Sequence, residues 1–423
     1  MINVLHVSQV GMGVGGTEEC IYLLCKYLDK QKFANYIWSP YGGGETLDLL
    51  QREKVISGAS LAKSAPELTD FIQNSQINIV IVHSGALNMF YILPTLKIFK
   101  EGFDLPVIEV MHRPLPSWGA PFGIDRIVAV SEYVATKQKP EYQAITQVIY
   151  NGIELDLFDR SKYNKADCRR RLGLPADKLI FGFIGHLAEW KRPQDIIEVA
   201  RQAAERDGEA FFAIAGDGPL RAFIEKQIAE LGLKNIKLLG RVAKSQRTDF
   251  FASLDLFLFP SGEEAFALVV LEAMAIGLPV ITYNYGSLHE YFDPAQDNYF
   301  LAPYKDGARL ADIALRLAGD RAAREKLGAD NLALSKKFDM RQVAKDYELL
   351  ISKLAAKEVA AVKSSAKLER NLGGIALAAG ETELAKAIYS EAIRQEPGLR
   401  EGIIDEVNRF KNFLQGMKKP TAN

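Results

Sequence analysis

Two carboxylates eight positions apart, Glu264 and Glu272, stand within Pro260-Ser261-Gly262-Glu263-Glu264-Ala265-Phe266-Ala267-Leu268 and the apolar residues that follow. The segment 254–259 before them reads as a short buried strand. After it, Phe266, Val269, Val270, Ala273 and Met274 recur at helical spacing, which starts a helix near Ala265. A helix start turns free N–H groups and the positive end of its dipole outward, a setting for phosphate. Glu264 at that start and Glu272 two turns on can accept hydrogen bonds from sugar hydroxyls. Diphosphate plus sugar implies a nucleotide-sugar; an amphipathic helix with ordinary acidic residues is the alternative from the two glutamates alone.

A cation for that diphosphate is available at Lys191, in Gly185-His186-Leu187-Ala188-Glu189-Trp190-Lys191-Arg192-Pro193, just before a helix that Pro193 opens. Ligands of open parallel sheets bind beyond the carboxyl ends of the strands, so Lys191, the helix start and Glu272 are expected to converge there. Taken alone, Lys191 also reads as a surface lysine. Near the N-terminus, Gly11-Met12-Gly13-Val14-Gly15-Gly16-Thr17-Glu18 satisfies GxGxxG between a strand and a helix. A nicotinamide enzyme also needs an acidic residue after the second strand, and Trp38-Ser39-Pro40-Tyr41 has none. The glycines read instead as a flexible loop that a ligand can approach closely, or as a structural turn.

The elements that must position these residues alternate between β-branched runs and helices. Strands are expected at 3–8, 36–39, 78–82, 107–110, 126–130 and 147–150, then, after a polar linker from Asn151 to Lys165, at 179–184, 210–215, 236–239, 254–259 and 279–282. Such alternation means parallel sheets covered on both faces, here in two doubly wound domains. From Ala308 onward the pattern is helical. There Leu372, Gly373, Ala376, Gly380, Ala385, Tyr389, Ala392 and Pro397 fall at the offsets of a tetratricopeptide repeat, although the bulky residue expected near Glu369 is missing. One repeat cannot bury its own apolar face, so it is expected to dock on the helix at 340–356, self-associate or meet a protein partner; a plain helical hairpin is the other reading.

The bulk composition suits this plan. The chain has 423 residues, 48% apolar and 25% charged, with a net charge of −1, and shows no basic stretch interleaved with aromatics for nucleic acid. Its three cysteines, Cys20, Cys25 and Cys168, have no metal-site spacing, and its five histidines read as spread out, so no metal is expected. No apolar run approaches the roughly 18 residues of a membrane span, and Met1 to Ser8 carries no basic leader. The expected location is cytoplasmic, at most peripheral to the inner face of a membrane.

These motifs together resemble a retaining glycosyltransferase of family 4, over roughly 1–356. The hallmark is the pair Glu264 and Glu272 within Pro-Ser…Glu…Phe…Glu-Ala-Met-Ala-x-Gly-Leu-Pro-Val-Ile. Also matching are Gly15-Gly16-Thr17-Glu18, Val130-Ser131-Glu132, Ile149-Tyr150-Asn151-Gly152-Ile153, Gly216-Asp217-Gly218-Pro219 and Leu239-Gly240-Arg241-Val242. The resemblance implies the GT-B architecture, two Rossmann-like domains facing a cleft, with an all-α C-terminal extension. The expected domains are 1–160 on the acceptor side, 161–338 for the donor, a helix at 339–356 packing back on the first domain, and an extension at 357–423 with its repeat at about 366–399.

Carried onto this chain, the resemblance implies Glu272 for the ribose, and Glu264 with the backbone of Ala265, Phe266, Ala267 and Leu268 for donor sugar and diphosphate. Lys191 is the implied phosphate cation, Arg241 and Val242 the base contacts, and His112 the histidine beside the reacting carbon. Gly15 and Gly16 would lie near donor phosphates and acceptor. The donor would be a UDP-, GDP- or ADP-sugar and the acceptor a saccharide, a lipid-linked sugar or a small molecule in glycan or glycolipid synthesis, with no metal and no cofactor. His186 departs from the pattern by standing where the family has a second phosphate-binding cation, and Ala265 and Ala267 replace glycines. If the backbone there needs a positive φ, their Cβ atoms would crowd the phosphate. A weakly active or inactive relative serving as an interaction protein through its helical tail is the alternative implied by those departures.

Overall fold

The computed structural model describes residues 1–62, 65–84, 96, 98–117, 119–206, 210–292 and 300–355. The expected repeat at 366–399 and the extension 357–423 lie outside the described residues. The chain divides into two compact units. Of the described residues, the first comprises those within Met1–Ala129, Lys137–Val148 and 344–355; the second comprises those within Val130–Thr136 and Ile149–Val343.

In the first unit seven strands, β1 (Ile2–Ser8), β2 (Phe33–Trp38), β3 (Gly58–Ser60), β4 (Ile79–Ser84), β5 (Val107–Met111), β6 (Arg126–Ala129) and β7 (Thr146–Val148), form a parallel sheet in the order β3-β2-β1-β4-β5-β6-β7. Its central strands β4 and β5 are buried along their whole length, which is why they read as mostly apolar, interrupted only by His83 and Ser84 at the end of β4 and by Glu109 in β5. The order reverses between β1 and β4, where a doubly wound sheet opens a crevice at its carboxyl edge. The helix Gly16–Tyr27 follows β1. Its glycine approach, expected to be flexible, is stapled in place: Thr46 donates its backbone N–H to Met12 O (3.1 Å) and its hydroxyl to Gly13 O (2.5 Å), and Ser8 Oγ donates to Gly11 O.

The second unit repeats the plan with six strands, β8 (Leu179–Ile184), β9 (Ala210–Ala215), β10 (Ile236–Gly240), β11 (Leu256–Phe259), β12 (Val280–Tyr283) and β13 (Leu301–Ala302), in the order β10-β9-β8-β11-β12-β13. Here the reversal falls between β8 and β11. These are two Rossmann-like parallel sheets with flanking helices, as the alternation of elements predicts. The short edge strands β3 and β13 are additions the sequence pattern did not reveal, since three and two residues carry no readable apolar run.

The polar segment after Asn151 is not a free linker. Ile153 bridges Asp339 in parallel, with Ile153 N–H donating to Phe338 O (2.9 Å) and Met340 N–H to Ile153 O (3.0 Å). Gly152 lies so close to Met340 that a Cβ would stand 2.7 Å from Met340 Cα, so only glycine fits this crossing. The segment Val130–Thr136 also belongs to the second unit. Ser131 caps its short helix by accepting from Val134 N–H (3.1 Å), and Glu290 accepts from the backbone N–H groups of both Glu132 and Tyr133 (2.9 and 2.7 Å). The helix Met340–Leu354 runs on from this unit, and beyond Ala344 it packs within the first, where Asp29 N–H donates to Glu348 (2.9 Å).

Candidate active site

In the second unit, the loops that leave β8, β9 and β10 are tied edge to edge. Gly185 N–H donates to Ala215 O (3.0 Å), Gly216 N–H to Gly240 O (2.7 Å), and Leu187 N–H to Asp217 O (2.9 Å). Two glycines make the closeness possible. Gly216 has φ +138° and a Cβ there would sit 1.8 Å from Gly185 O; at Gly218, φ +157°, it would sit 2.6 Å from Leu187 O. The loop carrying His186 and Lys191 is therefore held rigidly over the reversal of the sheet.

Lys191 and Glu264 meet at that reversal, one from the loop after β8 and the other from the loop after β11. Lys191 Nζ donates to Glu264 Oε1 in a largely buried ion pair, Ser261 Oγ donates to the same oxygen, and the ammonium lies 5.0 Å from the centre of the Phe259 ring. The same loop is joined to Trp190 through Gly262 N–H (2.6 Å). An anion arriving here finds a cation already aimed and a carboxylate able to exchange its partner for hydroxyl donors.

The remaining expected residues divide. Glu272 is 3% exposed on the helix Leu268–Ala275 and takes its contact from Arg247, whose Nη1 donates to Oε1 at 2.7 Å. Sequence reading missed Arg247 as its partner. His186 is exposed on the Lys191 loop, its ring 5.7 Å from that of Trp190. Arg241, exposed, and Val242, half-buried, follow β10 at the same sheet edge.

The helix itself begins at Leu268, three residues later than expected. Ala267 is extended (φ −92°, ψ 90°) and gives its N–H to the buried Tyr291 hydroxyl (2.7 Å), so that group is committed to the protein. Ala265 O accepts from Ser131 Oγ (2.8 Å). Neither alanine has a positive φ, so the Cβ atoms that replace glycine bring no left-handed strain. Phe266 packs among Tyr150, Tyr291 and Phe338 with ring centres 5.0–5.9 Å away, which makes it an anchor of the loop. Tyr291 and Glu290 lie outside any motif that marks them, and Ser131 and Ser261, although inside motifs, carry no sequence sign of their partners; only the folded contacts show what these four hold.

In the first unit, Gly15 is the residue before the helix Gly16–Tyr27, and His112 follows β5. His112 has company that the sequence hides. Its Nε2 lies 3.1 Å from His83 Nδ1; His83 Nε2 lies 3.2 Å from His6 Nδ1; His6 Nε2 lies 3.0 Å from Asn35 Oδ1. Three of the five histidines are thus lined up rather than spread out. Successive rings are 5.5 and 5.4 Å apart and nearly parallel. Register explains the line: Asn35 pairs with Val4, His6 with Ile81, and His83 with Val110, so each member lies two residues further along the next strand and all share one face. Burial lowers His6 to about 4 and holds His83 well below its ordinary value, so both are neutral at pH 7. The turn after His112 is held by Glu109, which accepts from Ser84 Oγ (2.6 Å), Ser117 Oγ and Gly119 N–H (3.3 Å).

Comparison with known proteins bears on the second unit first. Residues 164–364 match the family of glycosyl transferases group 1. That group 1 segment contains His186, Lys191, Arg241, Glu264 and Glu272. An uncharacterized glycosyltransferase of Methanocaldococcus jannaschii is 29% identical over 230 residues, 53% of this chain and 60% of that protein. The putative teichuronic acid biosynthesis glycosyltransferase TuaC of Bacillus subtilis is 27% identical over 221 residues, 52% and 54% of the two chains. The chain therefore spans little more than half the length of these relatives. In fold, it resembles Anabaena HepE in complex with UDP-glucose, with a TM-score of 0.71 and 20% identity over 84% of this chain and all of that one. The two Rossmann-like sheets are those of the GT-B class. Among the described residues, no helix is long and apolar enough to cross a membrane.

Proposed function

We propose that the chain is a retaining, metal-independent glycosyltransferase of family 4, transferring a sugar from a nucleoside-diphosphate sugar to an acceptor hydroxyl. The observation that most supports this reading is the Lys191–Glu264 pair at the reversal of the second sheet, inside the group 1 segment. Arrival of the diphosphate offers Lys191 an anion in place of Glu264. Glu264, released, accepts hydrogen bonds from the sugar hydroxyls, while Glu272, oriented by Arg247, accepts from the ribose. Arg241 and Val242 line the base, and His186 supplies a weaker phosphate contact than a permanent cation would. From the first unit, His112 accepts a hydrogen bond from a sugar hydroxyl, and Gly15 and Gly16 leave room for phosphate and acceptor.

The step balances within the substrates. The bond between the anomeric carbon and the diphosphate oxygen breaks, its electron pair staying on that oxygen, and the acceptor oxygen bonds to the same face of the carbon. The acceptor proton passes to the departing phosphate. Lys191 stabilises the charge that develops there, which is where a fixed cation lowers a barrier most. The UDP-glucose bound by the Anabaena protein makes that donor the first to try, and the teichuronic acid biosynthesis named for the Bacillus relative favours glycan or glycolipid synthesis.

The test is release of nucleoside diphosphate from UDP-, GDP- and ADP-sugars by the full chain, with NMR of the product's anomeric centre. Release from at least one donor, with the donor's anomeric configuration in the product, is expected. Inversion would overturn the retaining mechanism. No release from any donor would favour the interaction-protein alternative.

A further inference from the structure

The polar line across the first sheet has a direction. Asn35 Nδ2 donates to Cys25 O at 3.1 Å, which fixes the side-chain amide and leaves Oδ1 as the acceptor facing His6 Nε2. His6 Nε2 must then carry the proton. A neutral ring has only one N–H, so His6 Nδ1 accepts, and His83 Nε2 must donate to it. By the same step His83 Nδ1 accepts, and His112 Nε2 must donate. Each ring dictates the state of the next, and the last nitrogen, His112 Nδ1, is left unprotonated, with no hydrogen-bond partner among the described residues.

We infer that Asn35, His6 and His83 are positioning residues that hold His112 in one orientation and in the Nε2–H tautomer, presenting Nδ1 as a hydrogen-bond acceptor for a substrate hydroxyl. The inference rests on the glycosyl-transfer reading for the identity of that hydroxyl, but the tautomer follows from the network alone. Two imidazoles buried in the sheet face, His6 and His83, cost desolvation that apolar residues would avoid, and each is satisfied only because its neighbours are present. The line also resists a proton on its inner rings. An imidazolium at His83 or His6 sets two N–H groups against each other unless every ring further out moves its proton to Nδ1, whereas His112 can gain one at Nδ1 and keep its bond to His83.

The experiment is a long-range proton–nitrogen correlation spectrum of the histidine rings in the full chain labelled with ¹⁵N-histidine, at about pH 7. His6, His83 and His112 are expected as pure Nε2–H forms, distinct from the exposed His186. In His83→Leu, the His112 Nδ1 signal should move toward the average of the two tautomers. Transfer turnover should fall on the order of tenfold with donor KM within about twofold, as for other residues that orient a reacting group. His83→Gln should restore both, because its amide can accept from His112 and donate to His6. A wild-type His112 with its proton on Nδ1 would overturn the inference without any variant having to fold, as would a His83→Leu protein with unchanged tautomer and turnover. Pure Nε2–H forms in a protein that releases no nucleotide from any sugar donor would instead leave the tautomer lock standing and remove the proposed reaction.

Discussion

The two units share a fold but prepare their sheet edges in opposite ways. In the first, the polar groups are neutral imidazoles whose protons are set by hydrogen bonds along a line from Asn35 to His112. In the second, they are charges in buried pairs, Lys191 with Glu264 and Arg247 with Glu272, under loops clamped by glycine. A neutral, tautomer-fixed acceptor suits a hydroxyl, which must be oriented without being ionised. A cation balanced by a removable carboxylate suits a phosphate that gains charge as it leaves. The same reversal of strand order serves both because it opens a crevice without dictating what lines it.

Lys191→Ala should break the charged edge most severely. Turnover is expected to fall by about 10²–10³, the scale for losing one preorganised stabilising group, with a smaller change in donor affinity. Steady-state kinetics check this, and an unchanged kcat removes Lys191 from the phosphate. Next in size, Gly216→Ala should cost about 1–3 kcal/mol or more through backbone strain, read as a lowered melting temperature, because the added Cβ meets Gly185 O at 1.8 Å. Its effect should exceed that of Gly13→Ala, where nothing lies within 4 Å.

Glu272→Gln keeps the volume and removes the charge. Donor affinity measured by calorimetry should weaken by about 1.5–3 kcal/mol if the carboxylate accepts from the ribose. Equal affinity would reduce Glu272 to a structural partner of Arg247.

The neutral edge is best probed by pH. Ordinary histidine in the unfolded chain titrates near about 6.5, whereas His6 is lowered to about 4 and His83 lies well below its usual value. The unfolded chain therefore binds more protons in that window. The stability contributed by neutral histidines is full above about 6.5 and is lost as pH falls toward and through 4. Glu109, raised by burial, acts the other way, favouring the fold at low pH and losing that contribution as pH rises through its folded value. Glu18, also raised by burial, acts in the same sense as Glu109, and His112 is lowered to about 4 like His6. With three histidines against these two carboxyls, the urea midpoint should fall between about pH 7 and 5, and fall less in His83→Gln. The smallest effect belongs to His186→Arg, a rise in turnover of about two- to fivefold if that exposed ring is a weak phosphate contact; a loss would assign the histidine another use.

These contrasts also mark what could be read without coordinates. The interior strands were legible because burial on both faces leaves largely apolar, β-branched runs, as in 79–82 of Ile79–Ser84 and in Val107–Met111 around the single Glu109. The pair Lys191 and Glu264 was legible because each follows a strand at the reversal of a parallel sheet. The helix start was misplaced to Ala265 because its true position depends on Tyr291 claiming the N–H of Ala267, a contact between residues 24 apart in sequence. His6 and His83 gave no signal at all, since a line across four strands exists only once the register is set. Arg247 was hidden for the same reason, being the first residue of a helix 25 positions before Glu272.

The most direct test of the central claim is the melting temperature of wild type and Lys191→Ala with UMP, UDP and UDP-sugar, and with the guanine and adenine series. A ligand at 100 times its Kd adds about 2.7 kcal/mol of stability. For at least one base, the diphosphate and its sugar should raise the wild-type melting temperature by several degrees and the monophosphate by much less, with most of that difference gone in Lys191→Ala. Equal shifts for mono- and diphosphates, or no shift with any nucleotide sugar, would contradict the account.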